Sequence, residues 1–90
     1  MEEKLTLNDG TELERSSALL SGDLFLYVQD GETDLRRLFE LLIEPENTQV
    51  ITYTRNNGDE VEYTGYTKLI AVRDEGNGLV TAVLRREVVD

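Results

Sequence analysis

The segment that decides the fold is ITYTRNNGDEVEY, residues 51–63, in which two alternating apolar and polar runs flank a turn. A three-residue loop at positions 56–58 pairs Tyr53 with Val61 and Ile51 with Tyr63, so the apolar residues share one face. A two-residue turn would instead place Tyr53 opposite a glutamate. We therefore predict a hairpin with the three-residue loop and with Gly58 in the left-handed conformation.

The opposite face of this hairpin is polar. It carries two threonines and two glutamates, Thr52, Thr54, Glu60 and Glu62. Such a face is typical of a solvated sheet surface. Alternate residues on a strand lie about 6.6 Å apart, so a ladder of carboxylates can also imitate the phosphates of a nucleic acid. Glu60 and Glu62 line up in this way, while Arg55 and Lys68 lie nearby.

The N-terminal part contains two further strand patterns. Residues 4–7 and 11–14 alternate around Asn8-Asp9-Gly10, which predicts a hairpin. The run LFLYV at residues 24–28 predicts a central strand with both faces at least partly covered. Residues 15–20 fit either a strand or a short irregular bridge.

One helix is predicted after the central strand. Five apolar residues follow the i, i+3, i+4, i+7, i+8 spacing of a helical face, namely Leu35, Leu38, Phe39, Leu42 and Ile43. Thr33 or Asp34 can cap its N-terminus, and Pro45 forces the chain out of the helix near Glu44. A helix of about ten residues is marginal alone in water, so its apolar stripe is expected to pack on a sheet.

The C-terminal part predicts a second long hairpin. Gly65 interrupts the apolar pattern before a strand at residues 66–72, and the strand is expected to curl at that glycine. Residues 74–78 form a dense turn signal, in which Asp74, Glu75 and Asn77 are interpreted as solvated turn residues. Residues 79–85 complete the hairpin. Both strands are apolar on both faces, which is typical of the middle of a sheet or of a barrel wall.

These elements predict an α+β fold with six or seven strands and one helix in the order β-β-β-α-β-β-β-β. The short links favour antiparallel neighbours, in a bent antiparallel sheet or a partly closed small barrel whose opening or face the helix covers. A length of 90 residues predicts a single globular domain over residues 1–90.

The composition argues against catalysis. The chain has no histidine, cysteine or tryptophan, and 19 Asp and Glu outnumber 9 Lys and Arg, for a net charge of −10. Without imidazole or thiol groups, acid-base chemistry, covalent catalysis and soft metal sites lack their usual residues. We predict no enzyme, no catalytic residue, no cofactor and no metal ligand.

The charge and the cysteine count also predict the surroundings of the protein. A strongly acidic chain repels phosphate polyanions and acidic membranes, so we expect no direct nucleic-acid or membrane binding. The absence of cysteine and of a signal-like N-terminus favours a cytoplasmic location.

One acidic loop invites a metal interpretation. Residues 30–34, DGETD, superficially resemble a calcium loop. A calcium loop of that type starting at Asp30 needs a glycine at the position of Leu35 and a glutamate at the position of Leu41. Capping of the helix is the better interpretation. A regulatory calcium or magnesium binder is the third functional hypothesis, and it predicts a rise in melting temperature with the ion.

Tyrosines combine apolar area with a polar tip and suit either a core edge or an interface. The chain has Tyr27, Tyr53, Tyr63 and Tyr66. Core packing is the default for each, and Tyr66 beside the glycine bend is the one most expected to line a groove. The candidate interaction surface predicted from the sequence comprises Tyr53, Glu60, Glu62, Tyr63 and Tyr66.

Three segments carry a family resemblance. LTLNDGT at residues 5–11, YTGYTKL at 63–69 and GLVTAVL at 78–84 resemble small acidic β-rich proteins from the structural regions of phages and prophages of gut-type Firmicutes. The resemblance implies a component of a phage structural or assembly region that acts through protein contacts, which would make it virion-associated. It implies no catalytic residue.

Two functional hypotheses follow. The leading one is a non-enzymatic protein-protein interaction or assembly module, whose partner is another protein or a further copy of this chain in a homo-oligomer, because an open sheet edge can pair with either. The alternative is an acidic nucleic-acid mimic that inhibits a DNA- or RNA-binding protein.

Overall fold

A computed structural model describes residues 3–29 and 34–87. These residues form eight strands, one α-helix and one 3₁₀ helix. In chain order they are β1 Lys4–Thr6, β2 Glu12–Glu14, β3 Ser16–Ser21, β4 Asp23–Val28, α1 Leu35–Leu42, the 3₁₀ helix Pro45–Asn47, β5 Val50–Thr54, β6 Glu60–Thr64, β7 Lys68–Gly76 and β8 Leu79–Arg85.

The described strands form four consecutive hairpins that alternate between two antiparallel sheets. The first sheet has the order β2-β1-β5-β6 and the second the order β3-β4-β8-β7. The predicted α+β class is confirmed, while the strands form two sheets and not a closed barrel. The predicted count of six or seven strands was too low, because the segment at residues 15–20 is the strand β3, paired along its length with β4.

The register of the β5–β6 hairpin is the predicted one. Tyr53 lies opposite Val61 and Ile51 opposite Tyr63. The amide of Arg55 donates to the carbonyl of Asp59 at 2.7 Å and the amide of Gly58 to that of Arg55 at 2.9 Å. Gly58 has a φ of 91°, a value that costs other residues more than glycine.

Gly65 marks a change of sheet and not a curl within one strand. Its φ is 88°, β6 ends at Thr64 in the first sheet, and β7 begins at Lys68 in the second. Its amide donates to the carbonyl of Gln49 at 3.0 Å, and its carbonyl accepts from the amide of Glu87 at 3.3 Å. These bonds hold residue 65 between the two sheets. The predicted strand at 66–72 was wrong at both ends, because β7 starts at Lys68 and continues to Gly76, through Asp74 and Glu75 that were predicted as turn residues.

The inner faces of the two sheets and one row of α1 share a single core. Its buried apolar residues are Leu5, Leu7, Leu13, Leu24, Leu26, Val28, Leu38, Leu42, Ile51, Val80, Ala82 and Leu84. β4 and β8 each pair on both sides, which confirms the prediction that residues 24–28 form a central strand. The second sheet therefore supplies half of this core from β4 and β8 alone.

The helix begins as its sequence predicts. Asp34 is the N-cap, and its Oδ1 accepts from the amide of Arg37 at 2.8 Å, while Thr33, the other predicted cap, lies outside the described residues. Ile43 closes the last turn, and Pro45 starts the 3₁₀ helix. Within the described ranges, neither helix is long and apolar enough to span a membrane.

Candidate interaction site

The apolar stripe of α1 divides into two neighbouring rows. Leu38 and Leu42 are fully buried in the core. The second row consists of Leu35, Phe39 and Ile43, which remain 39%, 47% and 45% exposed. The prediction that the whole stripe packs on a sheet was therefore wrong for this row. Residues spaced by four form one ridge on a helix, and here one ridge enters the core while the adjacent ridge faces outward.

Strand β7 lies at an edge of the second sheet and not in its middle. Within the described ranges it pairs with β8 and with no other strand, so the prediction of a central position was wrong for β7 and correct for β8. The ladder is interrupted between Leu69 and Ala71. The intervening Ile70 is 41% exposed, whereas Leu69 and Val72 pack against the core.

The exposed row of α1 and the β7 edge enclose a concave surface, which we call the helix–strand groove. Its apolar lining comes from Leu35, Phe39, Ile43, Leu69, Ile70, Ala71 and Val72. The volume is about 660 Å³, within the usual range for ligand pockets. A free strand edge beside an apolar groove is the arrangement in which proteins bind an added strand, because the backbone supplies hydrogen bonds and the groove accepts side chains.

Charges around the groove are balanced although the chain as a whole is strongly acidic. The groove lining includes Asp34, Arg36 and Asp74. The other charged residues of β7 are Lys68, Arg73 and Glu75. Together they amount to three positive and three negative groups, against a net charge of −10 for the chain. A partner at this place therefore meets no local excess of negative charge.

The outer face of the second sheet is also apolar. It presents Leu19 of β3, 54% exposed, with Phe25 and Tyr27 of β4 and Val83 of β8, all partly exposed. A shallow depression of about 440 Å³ crosses this face as far as Ala71 of β7. On β7 the depression is lined by Ala71, Arg73 and Glu75, so the apolar part of the outer face lies on β3, β4 and β8.

Four of the five residues predicted as an interaction surface lie on two faces of the first sheet, and Tyr66 lies in the connection between β6 and β7. Tyr53 and Tyr63 are partly buried on the inner face, against the core. Tyr66 meets Tyr63 edge-to-face with ring centroids 6.4 Å apart, and the guanidinium of Arg86 lies 5.7 Å from the ring centre of Tyr66. Glu60 and Glu62 are exposed and pair with Thr54 and Thr52 on the opposite face. The structure brings the three tyrosines toward the core and does not join them to the two glutamates.

Tyr53 is polarised by a neighbouring carboxylate. Its hydroxyl donates a hydrogen bond to Oε2 of Glu3. Burial, followed by this hydrogen bond, raises the pKa of Tyr53 to about 12. The phenol therefore stays neutral at physiological pH and acts as a donor that fastens the segment preceding β1 to β5.

The outer face of the first sheet is acidic. Glu12 and Glu14 on β2 and Glu60 and Glu62 on β6 form two rows on one face, with β1 and β5 between them. Lys4 lies within this face, and its Nζ is 3.0 Å from Oε2 of Glu12. The sequence pattern had aligned the carboxylates of β6 alone. The sheet adds those of β2, because β1 pairs with β2 and β5 at once.

No group of three or more acidic side chains in residues 3–29 and 34–87 is arranged to hold a metal ion. Most of the acidic loop that suggested calcium, residues 30–33, lies outside the described residues.

The helix–strand groove was missed by sequence reasoning. Two signals for it were present. The helical stripe is wide enough for two rows, and β7 is apolar on both faces while ending in the charged run Arg73-Asp74-Glu75. Each was interpreted as core packing.

Comparison with protein-family models, with curated proteins and with solved structures finds no match. The resemblance to phage structural-region proteins therefore stays a prediction.

Proposed function

We propose that this chain is a non-enzymatic protein-interaction module that binds a polypeptide along β7. The main observation that supports this proposal is the helix–strand groove, in which four large apolar side chains are exposed beside a strand edge. The segment bound there would add a strand to the second sheet and place alternate side chains against Phe39 and Ile70. A role in phage assembly is one setting in which such a module acts, and it rests on the family resemblance.

The energetics favour binding at this place. Burying apolar surface contributes about 25 cal/mol per Å² before the cost of association is subtracted. The groove supplies apolar area. The edge of β7, which no other described strand pairs with, supplies hydrogen-bond donors and acceptors that an added strand can satisfy. The sequence has no histidine or cysteine, the residues most often used for acid-base and covalent catalysis near neutral pH, so binding is the better supported use of this surface.

A selection of random displayed peptides on the immobilised protein tests the proposal. We expect the selected peptides to be extended and rich in apolar residues. Their binding should be lost in Ile70→Lys, because the new charge enters the groove. Leu19→Lys is the matched control, since Leu19 is also exposed and lies on β3, the other edge of the same sheet.

Two results would contradict this function. In one, the protein is a monomer in solution and the selection yields no binding peptide. In the other, the selected peptides bind Ile70→Lys as tightly as they bind the unmodified protein. Circular dichroism of both variants would verify that they remain folded.

A second candidate is the acidic nucleic-acid mimic, which the two carboxylate rows of the first sheet favour. Residues within a row are about 6.6 Å apart, and the rows are three strand spacings, about 14 Å, apart. Lys4 with its ion pair to Glu12 weakens the negative potential of this face, so the mimic ranks second.

Competition against a labelled DNA duplex for a homeodomain tests the mimic. Displacement should fall when Glu60 and Glu62 are both changed to Gln. It should persist when two glutamates outside this face, Glu40 and Glu44, are changed to Gln. Failure of the protein to displace the duplex would exclude mimicry of this kind of target.

A further inference from the structure

We infer that the segment bound at β7 is β7 of a second copy of this chain, in an antiparallel two-fold pair. This inference rests on the proposed function, since it names the partner of the same groove. The resulting dimer would join two second sheets into one continuous sheet of eight strands.

The order of charges along β7 supports pairing with itself. The strand is KLIAVRDEG, with Lys68 at its start, four apolar residues, then Arg73, and with Asp74 and Glu75 near its end. Nε of Arg73 lies 3.8 Å from Oε1 of Glu75, at an exposed position. Antiparallel pairing opposes the start of one copy to the end of the other. A two-fold axis near Val72 would bring Lys68 of each copy beside Glu75 of the other, and opposite charges on facing strands stabilise the pair.

Both of these charged side chains lie on the same face of the sheet. Lys68 is paired with Arg85, which lies on the outer face of β8. The carboxylate of Glu75 accepts from the Oγ1 of Thr81, which also lies on that face, at 3.0 Å. The same register centres Val72 on the inner side, where it faces the groove.

The helix completes the two-fold arrangement. Ile43 lies near Lys68 and Leu69 at one end of the groove, and Phe39 occupies the middle of the exposed row. The axis near Val72 therefore places α1 of the second copy against α1 of the first through Leu35, Phe39 and Ile43. An apolar surface that is its own complement satisfies the requirement of a two-fold interface.

Charge also allows two copies to meet here. Two chains of net charge −10 repel each other, but the charged groups of the groove lining and of β7 sum to zero. At 0.15 M salt the Debye length is about 8 Å, so distant acidic groups are largely screened, while at 0.01 M it is about 30 Å. The dimer should therefore be more stable at 0.15 M salt than at 0.01 M.

Light scattering on the full chain tests the inference. We expect about 20 kDa, twice the chain mass of 10.2 kDa, at 0.15 M salt. Ile70→Lys should give the monomer mass, and Leu19→Lys should remain a dimer. A dimer that Ile70→Lys leaves intact would overturn the inference.

A charge exchange tests the register. Lys68→Glu and Glu75→Lys should each weaken dimerisation by about tenfold. Each variant places two like charges beside each other at positions 68 and 75, and the two-fold symmetry repeats this repulsion at both ends of the paired strands. The double exchange should restore the affinity. If the double variant dimerises as weakly as the single variants, the antiparallel register is overturned.

Cross-linking gives an independent test, since the chain has no cysteine of its own. Ala71→Cys should be joined to a second copy by a short bismaleimide at micromolar concentration. Asp59→Cys, at the tip of the β5–β6 hairpin, should not.

The failures are distinguishable. A monomer that binds selected peptides through Ile70 would overturn the dimer and leave the interaction module in place. A monomer that binds none would overturn both.

Discussion

The outer faces of the two sheets differ in character. The first sheet exposes carboxylates of β2 and β6 around Lys4, whereas the second exposes Leu19, Phe25 and Val83 and ends at an apolar groove beside β7. A sheet with one apolar face has no further apolar surface to bury once that face packs in the core. A sheet that also exposes apolar side chains on its outer face still has surface to bury, and this difference supports placing the proposed interaction site on the second sheet.

The largest effect expected separates the two rows of α1. Leu38→Ala should lower the free energy of unfolding by about 2–5 kcal/mol, because Leu38 is fully buried. Phe39→Ala should cost about 1 kcal/mol or less, because nearly half of its side chain is already exposed. Urea unfolding in the Ile70→Lys background would measure both without a contribution from self-association. An equal loss of unfolding free energy in the two variants would show that Phe39 belongs to the core, and the two rows of α1 would then not differ.

The position of α1 as a wall of the groove depends on its cap. Asp34→Ala should cost about 0.5–2 kcal/mol, because the amide of Arg37 loses its acceptor. Glu40→Ala is the control, since it removes an exposed i, i+4 ion pair with Arg36 that contributes roughly 0.3–0.5 kcal/mol. Thermal unfolding would measure both. A smaller loss for Asp34→Ala than for Glu40→Ala would contradict the capping role.

The inner face of the first sheet has a pH-sensitive point at Tyr53. Its pKa is about 12 in the folded chain and about 10 when unfolded. The unfolded chain therefore ionises first, and the stabilisation from this group is complete below pH 10 and is lost between pH 10 and 12. The free energy of unfolding should fall more steeply over that range in the unmodified protein than in Tyr53→Phe.

Absorbance at 295 nm would follow the ionisation directly. We expect Tyr53 to ionise near pH 12, with this phase absent in Tyr53→Phe. In Glu3→Gln the phase should move to lower pH, because the neighbouring carboxylate has become neutral. An unchanged titration in both variants would refute the contact.

The smallest effect concerns an exposed ion pair at one end of the outer face of the second sheet. Nε and Nη2 of Arg85 donate to Oδ1 and Oδ2 of Asp23 at 3.0 and 3.2 Å. This hydrogen bonding lowers the pKa of Asp23 from its usual 3.8. Any stabilisation from the pair is present above the unfolded pKa and is lost as the pH falls through the folded one.

Carboxyl chemical shifts would report the midpoint of Asp23. In Arg85→Gln the midpoint should rise toward 3.8. If the midpoint stays where it was, the side chains are not paired in solution. The surrounding apolar face should be unaffected, since both groups lie at its end.

The fold was predictable where local pattern and turn chemistry agree. The β5–β6 register follows from the alternation of Ile51, Tyr53, Val61 and Tyr63 together with Gly58. The helix start follows from the capping preference of Asp34. Position within a sheet was not predictable for β7, because a strand that is apolar on both faces favours a central place by its pattern, and the pattern does not show which other strands pair with it.

The interaction surface shows the same limit. The predicted register already put Tyr53 and Tyr63 on the face opposite Glu60 and Glu62, so one continuous surface of all four conflicted with it. The sequence did not identify the exposed residues of the groove as interaction residues, because spacing identifies an apolar row without showing what covers it. These residues are Leu35, Phe39, Ile43 and Ile70. The distance between α1 and the edge of the sheet is a property of the tertiary structure.

The division of α1 into two rows has a consequence for how such a protein can change over generations. Substitutions at Leu38 and Leu42 act on stability, and most of them would be removed by selection. Substitutions at Leu35, Phe39 and Ile43 act on the exposed ridge and leave the core intact. In the proposed interaction module, binding preference can therefore diverge among descendants of this chain at three positions while the fold is inherited unchanged.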